Sequence, residues 1–385
     1  MGIEDKLAYP GQQPSPIREL LKHRVEISFG GGYPPPECFP VERITQLRAE
    51  IEPEYLQYGA TEPLPEFNER LRKYLEREIG IRAEPDEISV GSGSQAILAT
   101  LAATLISPGQ TIVVDAPTYL GALGAFRTQR PKFITIPMTE TGPDLDVLRQ
   151  ALTQNNVQFY YTVPNFGNPT GVTHDLKTRE EIVGLAQKTG TLIVEDDPYG
   201  LLRYQGKPLP TLHELSPDHT AYIGTASKTI APDMRTAWLV APLALVDAYN
   251  TQAGAIQLYT SQVNQLVTAR FLDSPDHFRK HIEKLRTTYG ERLNTMLRAF
   301  EEMFPTGVTW TKPEGGMFIW ISGLPTDIQS ILNQAVTENV VFVPGTGFYA
   351  NEPVSGTARF NFSNAKPEVI TEGVRRIARI LEPYY

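Results

Sequence analysis

Strands and helices alternate through the middle of the chain, and this pattern constrains the fold more than any other feature. Short apolar runs separated by helical stretches occur at residues 87–91, 111–115, 133–136, 157–163, 191–194, 221–224 and 237–241. Such alternation is typical of an α/β protein. In open α/β sheets ligands bind beyond the carboxyl ends of the strands, so residues that follow these runs are candidate site residues.

The length of the chain indicates more than one domain. Its 385 residues are too many for one ordinary hydrophobic core, so we expect two domains. The last third mixes strands with helices, including predicted helices at 243–270 and at about 275–304, and this mixture indicates a smaller α+β domain. We expect an N-terminal arm and part of the small domain in residues 1–45, the large ligand-binding domain in 46–285, and the C-terminal small domain in 286–385.

Charge and composition exclude several classes of protein. The net charge of −9 argues against a nucleic-acid-binding surface, which would be basic. No apolar run approaches the length of a membrane span, and the first residues lack the apolar core of a signal peptide. The single cysteine, Cys38, excludes an intrachain disulfide, lacks metal-ligand spacing and suits a reducing compartment. We therefore expect a cytoplasmic protein without a metal site.

One lysine, Lys228, lies in a segment with unusual chemistry. Hydroxyl residues surround it, an arginine follows seven residues later, and an apolar run comes just after. A lysine amine can form a Schiff base with a carbonyl cofactor, while hydroxyls and a guanidinium suit a phosphate dianion. Pyridoxal 5′-phosphate (PLP) requires both features. The alternative is an ordinary lysine in a surface loop.

Other candidate residues follow the predicted strands. The turn at residues 92–95 opens a helix, and its free backbone N–H groups suit a phosphate, although any strand-to-helix turn can use Gly and Ser. Tyr119 and Asn168 each come just after a strand, where the alternative for Tyr119 is simple packing. Glycines 30–32 allow a ligand to approach the backbone closely, or form a flexible turn.

Three acids and Tyr199 come at the end of another apolar strand. A carboxylate there is costly without a cationic partner, and a protonated pyridinium nitrogen would be such a partner. We expect Asp196 to have this partner. For Asp197 we favour the alternative, an aspartate that caps a helix.

Four motifs occur together in a fixed order: Asn168-Pro-Thr-Gly, Asp196-Asp-Pro-Tyr, Ser227-Lys228 and Arg359-Phe-Asn-Phe-Ser. With them the chain resembles, over nearly its whole length, fold-type I PLP enzymes of the class I/II aminotransferase group. It is most similar to the multisubstrate 2-aminoadipate/aromatic subgroup. The resemblance implies a large domain with a mostly parallel seven-stranded sheet between helices, plus a smaller α+β domain.

The resemblance also implies roles around the PLP ring. Lys228 would hold the cofactor covalently and move the substrate proton, and Asp196 would keep the ring nitrogen protonated. Tyr199 and Asn168 would hydrogen-bond the ring's 3-oxygen, and Tyr119 would stack on the ring.

A second set of residues would bind the phosphate. In one chain these are Ser94, Gln95, Thr225, Ser227 and Arg235. Tyr58 would reach the phosphate in a neighbouring subunit, so the resemblance implies a homodimer with shared active sites.

The substrate contacts complete the predicted site. Arg359 would bind the substrate α-carboxylate with help from Asn168 and the backbone near Gly32, and Arg18 would meet the distal group. The expected reaction moves an amino group from an aromatic, aminoadipate-like or branched/aliphatic L-amino acid to a 2-oxo acid such as 2-oxoglutarate, by a ping-pong route. Near the mouth of the active site, Pro63 and Leu64 stand where the subgroup usually has glycine and an aromatic residue. The substrate class is therefore the least constrained part of what the resemblance implies.

Two alternatives remain open from the sequence. The same fold supports β-elimination, decarboxylation and amino-acid oxidation, because a fold does not fix a reaction. The domain also serves as the effector-binding part of transcription regulators. The short stretch before Ile17 and the acidic net charge disfavour that form.

Overall fold

A computed structural model describes residues 25–385 of the protein. The strands in this part of the chain are β1 (Ile27–Ser28), β2 (Ile88–Gly91), β3 (Thr111–Ala116), β4 (Lys132–Thr139), β5 (Gly142–Pro143), β6 (Val157–Thr162), β7 (Leu192–Asp196), β8 (Thr220–Thr225), β9 (Ala237–Val240), β10 (Thr309–Trp310), β11 (Phe318–Ser322), β12 (Val340–Val341), β13 (Val343–Pro344) and β14 (Ala358–Asn361).

The α-helices in the same part of the chain are α1 (Val41–Ala49), α2 (Pro65–Tyr74), α3 (Ser94–Leu105), α4 (Leu120–Arg127), α5 (Leu145–Gln154), α6 (Leu176–Thr189), α7 (Leu212–Leu215), α8 (Leu243–Gln257), α9 (Gln262–Leu272), α10 (Pro275–Met303), α11 (Ile328–Thr337) and α12 (Pro367–Leu381). Within residues 25–385, no helix combines the length and apolar character that crossing a bilayer requires.

The main sheet confirms the predicted α/β class. Its strand order is β2-β9-β8-β7-β6-β3-β4-β5. The pairs β4–β3, β3–β6, β6–β7 and β7–β8 are parallel, and the pairs nearer the two edges are antiparallel. The seven predicted strands all occur in it, and the two-residue β5 extends one edge. Central strands such as β8 are buried on both faces, which explains their continuous apolar runs.

A second, antiparallel sheet lies in the C-terminal third, as predicted for a smaller α+β unit. Its strand order is β10-β11-β14-β13. Helices α10 and α12 pack against each other here, and α12 buries Ile370, Val374 and Ile377 at helical spacing. Helix α10 runs through the predicted boundary after residue 285, and the domain boundaries themselves stay a prediction.

The N-terminal part of the described chain joins this C-terminal third. Strand β1 pairs in parallel with β12, with Ile27 opposite Val340. The carbonyl of Phe29 accepts a hydrogen bond from the backbone of Asn361 at 2.8 Å. This pairing places the glycines that follow Phe29 beside strand β14.

The predicted helix at 243–270 is wrong in one respect, because it is two helices. Helix α8 ends at Gln257, Leu258 has a positive φ of 64°, and α9 starts after Ser261. The Ser261 hydroxyl accepts from the backbone of Asn264 and caps α9. The Thr61 hydroxyl binds the Leu258 carbonyl at 2.8 Å, so a distant segment holds the break.

Candidate active site

The predicted site residues gather where neighbouring parallel strands end. Asp196 is the last residue of β7, and Thr225 is the last residue of β8, three positions before Lys228. Asn168 lies in the segment after β6. The Lys228 amine donates to the carbonyl of Gly32 at 2.7 Å, so the glycine segment closes the site from the side of the smaller sheet.

Lys228 has the electrostatic surroundings of a reactive amine. Burial lowers the pKa of its ammonium group to about 8, and the positive charges of Arg359 and Arg235 act in the same direction. The negative charge of Asp196 acts in the opposite direction and raises the pKa of Lys228. A lysine with a lowered pKa loses its proton readily and becomes a nucleophile near neutral pH.

The two adjacent aspartates have different surroundings. One oxygen of Asp196, Oδ2, accepts from the Tyr161 hydroxyl at 2.9 Å, whereas Oδ1 is buried with no partner among the described residues. Burial raises the pKa of Asp196 to about 7. Asp197 instead accepts from Asn165 at 3.0 Å and from the backbone of Gly200 at 2.9 Å. Asp197 therefore closes a turn, while Asp196 keeps one oxygen available.

The Arg359 guanidinium is buried with neutral partners. It donates to Oδ1 of Asn168 at 2.9 Å and to the carbonyl of Gly30 at 2.5 Å. Its central carbon lies 4.2 Å from the ring centroid of Phe318 and 5.1 Å from that of Phe348. The side chain is 1% exposed, and burial lowers its pKa to about 10. No described carboxylate pairs with Arg359, so it presents an uncompensated cation.

Tyr199 and Asn168 lie beside that guanidinium. Tyr199 is buried close to Asn168 and meets the ring of Phe318 edge-on with centroids 5.8 Å apart. Burial raises the pKa of its hydroxyl far above the ordinary value, so Tyr199 stays protonated. The hydroxyl can therefore donate a hydrogen bond.

The start of α3 forms a cradle with Arg235. Gly93 precedes the helix with φ 87°, and Arg235 donates to the carbonyl of Ser92 at 2.7 Å. A Cβ on Gly93 would lie 2.5 Å from a guanidinium nitrogen of Arg235, so only glycine allows this approach. The free N–H groups of the first turn, including that of Ser94, could bind an anion together with Arg235.

Other predicted phosphate and ring residues border this cradle. Thr225 donates to the hydroxyl of Ser227 at 3.1 Å. The Tyr119 hydroxyl approaches Oε1 of Gln95 at 3.4 Å, and the Gln95 amide donates to the carbonyl of Gly121 at 2.8 Å. Gln95 thus links the first turn of α3 to the turn that carries Tyr119.

Two predicted residues do not join this group. Tyr58 is 76% exposed and meets only the ring of Tyr259 edge-on, among the ring contacts of residues 25–385. Arg18 lies outside the described residues.

Three contacts were missed from the sequence. Tyr161 binds Asp196, and Phe318 and Phe348 flank Arg359. A tyrosine pair inside the buried strand β6 was a signal for Tyr161, because a buried hydroxyl needs a partner. The sequence around the two phenylalanines gives no indication of this contact, because apolar residues in this region are expected in the hydrophobic core.

Known proteins resemble this chain over nearly its full length. The family model for aminotransferase class I and II matches residues 27–377. An aromatic-amino-acid aminotransferase of Thermococcus litoralis is 37% identical and aligns over 97% of this chain and 92% of its own. A 2-aminoadipate transaminase of Thermus thermophilus is also 37% identical, over 96% and 94%. A solved kynurenine aminotransferase of Pyrococcus horikoshii, in complex with pyridoxamine phosphate, superposes with a TM-score of 0.94 at 36% identity over 99% and 98%.

The residues present fit PLP on two independent observations. The partnerless buried oxygen of Asp196 suits a protonated ring nitrogen. The cradle of Gly93 and Arg235 suits a phosphate. These features and the matches confirm the resemblance, and the aminotransferase relatives favour transamination over the other reactions of this fold. The chain belongs to the family of class I and II aminotransferases and is a PLP-dependent enzyme that moves an amino group from an amino acid to a 2-oxo acid.

Proposed function

We propose that this enzyme takes the amino group from aromatic, 2-aminoadipate-like or branched/aliphatic L-amino acids and passes it to 2-oxoglutarate by a ping-pong route. The observation that carries the proposal is the buried Arg359 cation, which has neutral partners and lies beside Asn168. Every donor and acceptor of such a reaction has an α-carboxylate that this cation can bind. The relatives named for aromatic amino acids and 2-aminoadipate support the donor classes.

The side chains at the strand ends have defined tasks in this proposal. When bound, PLP supplies an electron sink that makes the substrate Cα proton acidic. Lys228 holds the cofactor and moves that proton, for which its lowered pKa suits it. Asp196 holds a proton at the ring nitrogen, and Tyr199 and Asn168 bind the 3-oxygen. Tyr119 stacks on the ring.

The cofactor phosphate is assigned to the cradle and its border. The proposed ligands are Ser94, Gln95, Thr225, Ser227 and Arg235. Helix N–H groups, hydroxyls and a guanidinium together favour a dianion over a neutral group.

The substrate is assigned to the two predicted arginines. Arg359 binds the α-carboxylate with Asn168 and the backbone at Gly32, while Arg18 meets a distal carboxylate. A bidentate guanidinium contact orients the substrate as well as binding it.

A homodimer is the proposed working unit. Leu56, Tyr58, Ile256 and Leu258 are large apolar side chains, each at least 56% exposed. Hydrogen bonds from Thr61 to Leu258 and between the 57 and 262 positions tie their two segments together. A contiguous exposed apolar surface of this kind marks an interface. We assign it to a second copy, in which Tyr58 reaches the neighbouring phosphate.

Mixed dimers test the shared site. A chain with Lys228→Ala and a chain with Tyr58→Ala should each bind PLP more weakly than the wild type when present alone. In the mixed dimer one site has both lesions, and the other has its own Lys228 and an intact Tyr58 from its neighbour. We expect mixing to restore wild-type PLP affinity at that one site. No restoration in mixed dimers, or a monomeric wild type in sedimentation, would contradict the shared site.

A panel of amino acids tests the reaction. The holoenzyme is mixed with each amino acid without acceptor, and the absorbance of bound PLP is followed. We expect conversion to pyridoxamine phosphate with aromatic and aminoadipate donors and its reversal by 2-oxoglutarate. Release of ammonia, carbon dioxide or peroxide without pyridoxamine phosphate would favour one of the other reactions.

The cytoplasmic location and the domain boundaries at residues 45/46 and 285/286 are also part of the proposal.

A further inference from the structure

The loop between β13 and β14, residues 345–357, bridges the two sheets of the molecule. It starts with a short 3-10 turn at Gly345–Phe348 and leads into β14, which carries Arg359. The carbonyl of Phe348 accepts from the backbone of Thr118 at 2.8 Å. The Asn351 amide donates to the carbonyl of Phe133 at 3.2 Å. The loop thus has anchors after β3 and on β4, both in the main sheet.

The third anchor is Arg127, at the end of α4. One of its guanidinium nitrogens donates to two consecutive carbonyls, those of Tyr349 and Ala350, each at 3.2 Å. The guanidinium also lies 5.9 Å from the ring centroid of Phe133. No ion pair joins Arg127 to a carboxylate in the described chain, which sets it apart from surface arginines such as Arg149. Within the described part of the chain, the side-chain hydrogen bonds of Arg127 therefore all go to the 345–357 loop.

The anchored segment begins next to the ring that flanks Arg359. Phe348 is fully buried, packs edge-on against Trp320 with centroids 5.7 Å apart, and lies 5.1 Å from the Arg359 guanidinium. Tyr349 and Ala350 follow it directly. If these carbonyls lose their hydrogen bonds, the backbone that holds Phe348 in this position has one anchor fewer.

We infer that Arg127 is a positioning residue for substrate binding: by holding the carbonyls of Tyr349 and Ala350, it fixes Phe348 against the guanidinium of Arg359. The inference rests on the proposed role of Arg359 as the α-carboxylate ligand. Thr118, the other backbone anchor of the loop, immediately precedes Tyr119. The loop therefore connects the carboxylate site with the residue assigned to the cofactor ring.

The first test compares Arg127→Gln and Arg127→Lys in the holoenzyme. Their dissociation constants for an unreactive monocarboxylate, 3-phenylpropionate, are measured from the cofactor absorbance, together with KM and kcat for one aromatic donor and for 2-oxoglutarate. Arg127→Gln should raise the dissociation constant and both KM values about tenfold, as expected for the loss of a charge-assisted hydrogen bond that one nitrogen shares between two carbonyls, with little change in kcat. Arg127→Lys keeps a cationic donor and should restore part of the affinity. PLP content should stay at the wild-type level.

Arg149→Gln is the matched control. Arg149 lies on α5 and pairs with Asp146 at the surface, so its loss should leave binding unchanged. An unchanged dissociation constant in Arg127→Gln, or an equal loss in the control, would overturn the inference.

A double-mutant cycle separates this inference from the proposed function. If Arg127 acts through Arg359, adding Arg127→Gln to an Arg359→Lys enzyme should weaken 3-phenylpropionate binding by less than twofold further. A full additional tenfold loss would show independent action and overturn the coupling. If Arg359→Lys alone leaves binding intact, the proposed role of Arg359 fails. If Arg359→Lys weakens binding and Arg127→Gln does not, only the role of Arg127 fails.

Discussion

Tyr161 donates its hydroxyl hydrogen bond to Oδ2 of Asp196 at 2.9 Å, and Oδ1 of the same carboxylate has no partner within residues 25–385. The bond favours the ionised carboxylate, whereas burial favours the protonated acid and raises its pKa to about 7. A neutral carboxylic acid cannot balance a protonated ring nitrogen. The strength of cofactor binding should therefore depend on this one hydroxyl.

Replacing Tyr161 with phenylalanine should make PLP binding more sensitive to acid. PLP affinity of the apoenzyme should fall below pH 7 as Asp196 takes up a proton, and Tyr161→Phe should move the midpoint upward by about one pH unit, equal to about 1.4 kcal/mol. The measurement is PLP affinity against pH by fluorescence quenching. The control is Tyr160→Phe, because the Tyr160 hydroxyl binds Asp115 instead. An identical midpoint in wild type and Tyr161→Phe would contradict this prediction.

The two adjacent aspartates should respond differently to the same change. Asp196→Asn should still bind PLP through Lys228 and the phosphate ligands, although with lower affinity, and should lose activity by about 10²-fold or more, since an amide cannot hold a proton at the ring nitrogen. Asp197→Asn should cost about 1–3 kcal/mol of stability through its hydrogen bonds to Asn165 and Gly200, with turnover largely kept. Steady-state rates and urea unfolding of both variants decide the matter. Equal losses of activity in Asp196→Asn and Asp197→Asn would contradict the different roles assigned to the two aspartates.

Lys228→Ala should abolish turnover and leave PLP bound without a covalent link. The amine that is lost is the nucleophile and the proton carrier of the proposed mechanism. Borohydride reduction of the wild type, followed by peptide mapping, should label Lys228. A label on another lysine would refute the assignment.

The sequence predicted those parts of the molecule that leave a local pattern. Seven strands were found because each is a continuous apolar run, and Lys228 and Asp196 because they follow such runs. The short β5 was missed since two residues show no periodicity. The break at Leu258 was missed because a distant Thr61 holds it.

Contacts between distant side chains left no signal of this kind. Phe348 lies in the 345–357 loop and Arg359 lies on β14, and their contact depends on how that loop packs in the folded protein. The hydrogen bonds of Arg127 likewise depend on tertiary packing, since Tyr349 is far away in the sequence. Neither contact follows from periodicity or from a motif.

Substrate recognition should separate the two predicted arginines. Arg359→Ala should weaken every donor and acceptor by about 2–5 kcal/mol, because all carry the α-carboxylate. Arg18→Ala should weaken glutamate, 2-oxoglutarate and aminoadipate and spare aromatic donors. Steady-state constants for one acidic and one aromatic donor test both statements. A uniform loss, or no loss, in Arg18→Ala would remove that residue from the specificity site.

Asp115→Asn should change how stability depends on pH. Asp115 is buried on β3 and accepts from Tyr160 at 2.5 Å and Thr162 at 2.7 Å. Burial raises its pKa to about 7, above the unfolded value of about 3.9. The folded protein binds this proton more tightly than the unfolded chain does. The contribution of Asp115 to the free energy of unfolding is therefore at its maximum below about pH 4 and is lost as the pH rises through about 7.

The measurement for Asp115 is the free energy of unfolding against pH. The asparagine variant lacks this titration, so its stability relative to wild type should increase by up to about 4 kcal/mol between pH 4 and pH 8. Asp146→Asn, at an exposed position of α5, is the control and should show no such trend. If the difference in unfolding free energy between Asp115→Asn and wild type did not change with pH, the raised pKa of Asp115 would be contradicted.

The pairing of Ile27 with Val340 has a consequence for biosynthesis. Strand β1 can find its partner β12 only after all the residues between them, including every strand of the main sheet, have been made. Until then Phe29, which stacks on Phe360 with centroids 5.6 Å apart, lacks its apolar neighbour. The main sheet, whose strands all lie between residues 88 and 240, can form meanwhile. We therefore expect the main sheet to form before β1 pairs, so that a ribosome that stalls before residue 340 would leave β1 unpaired.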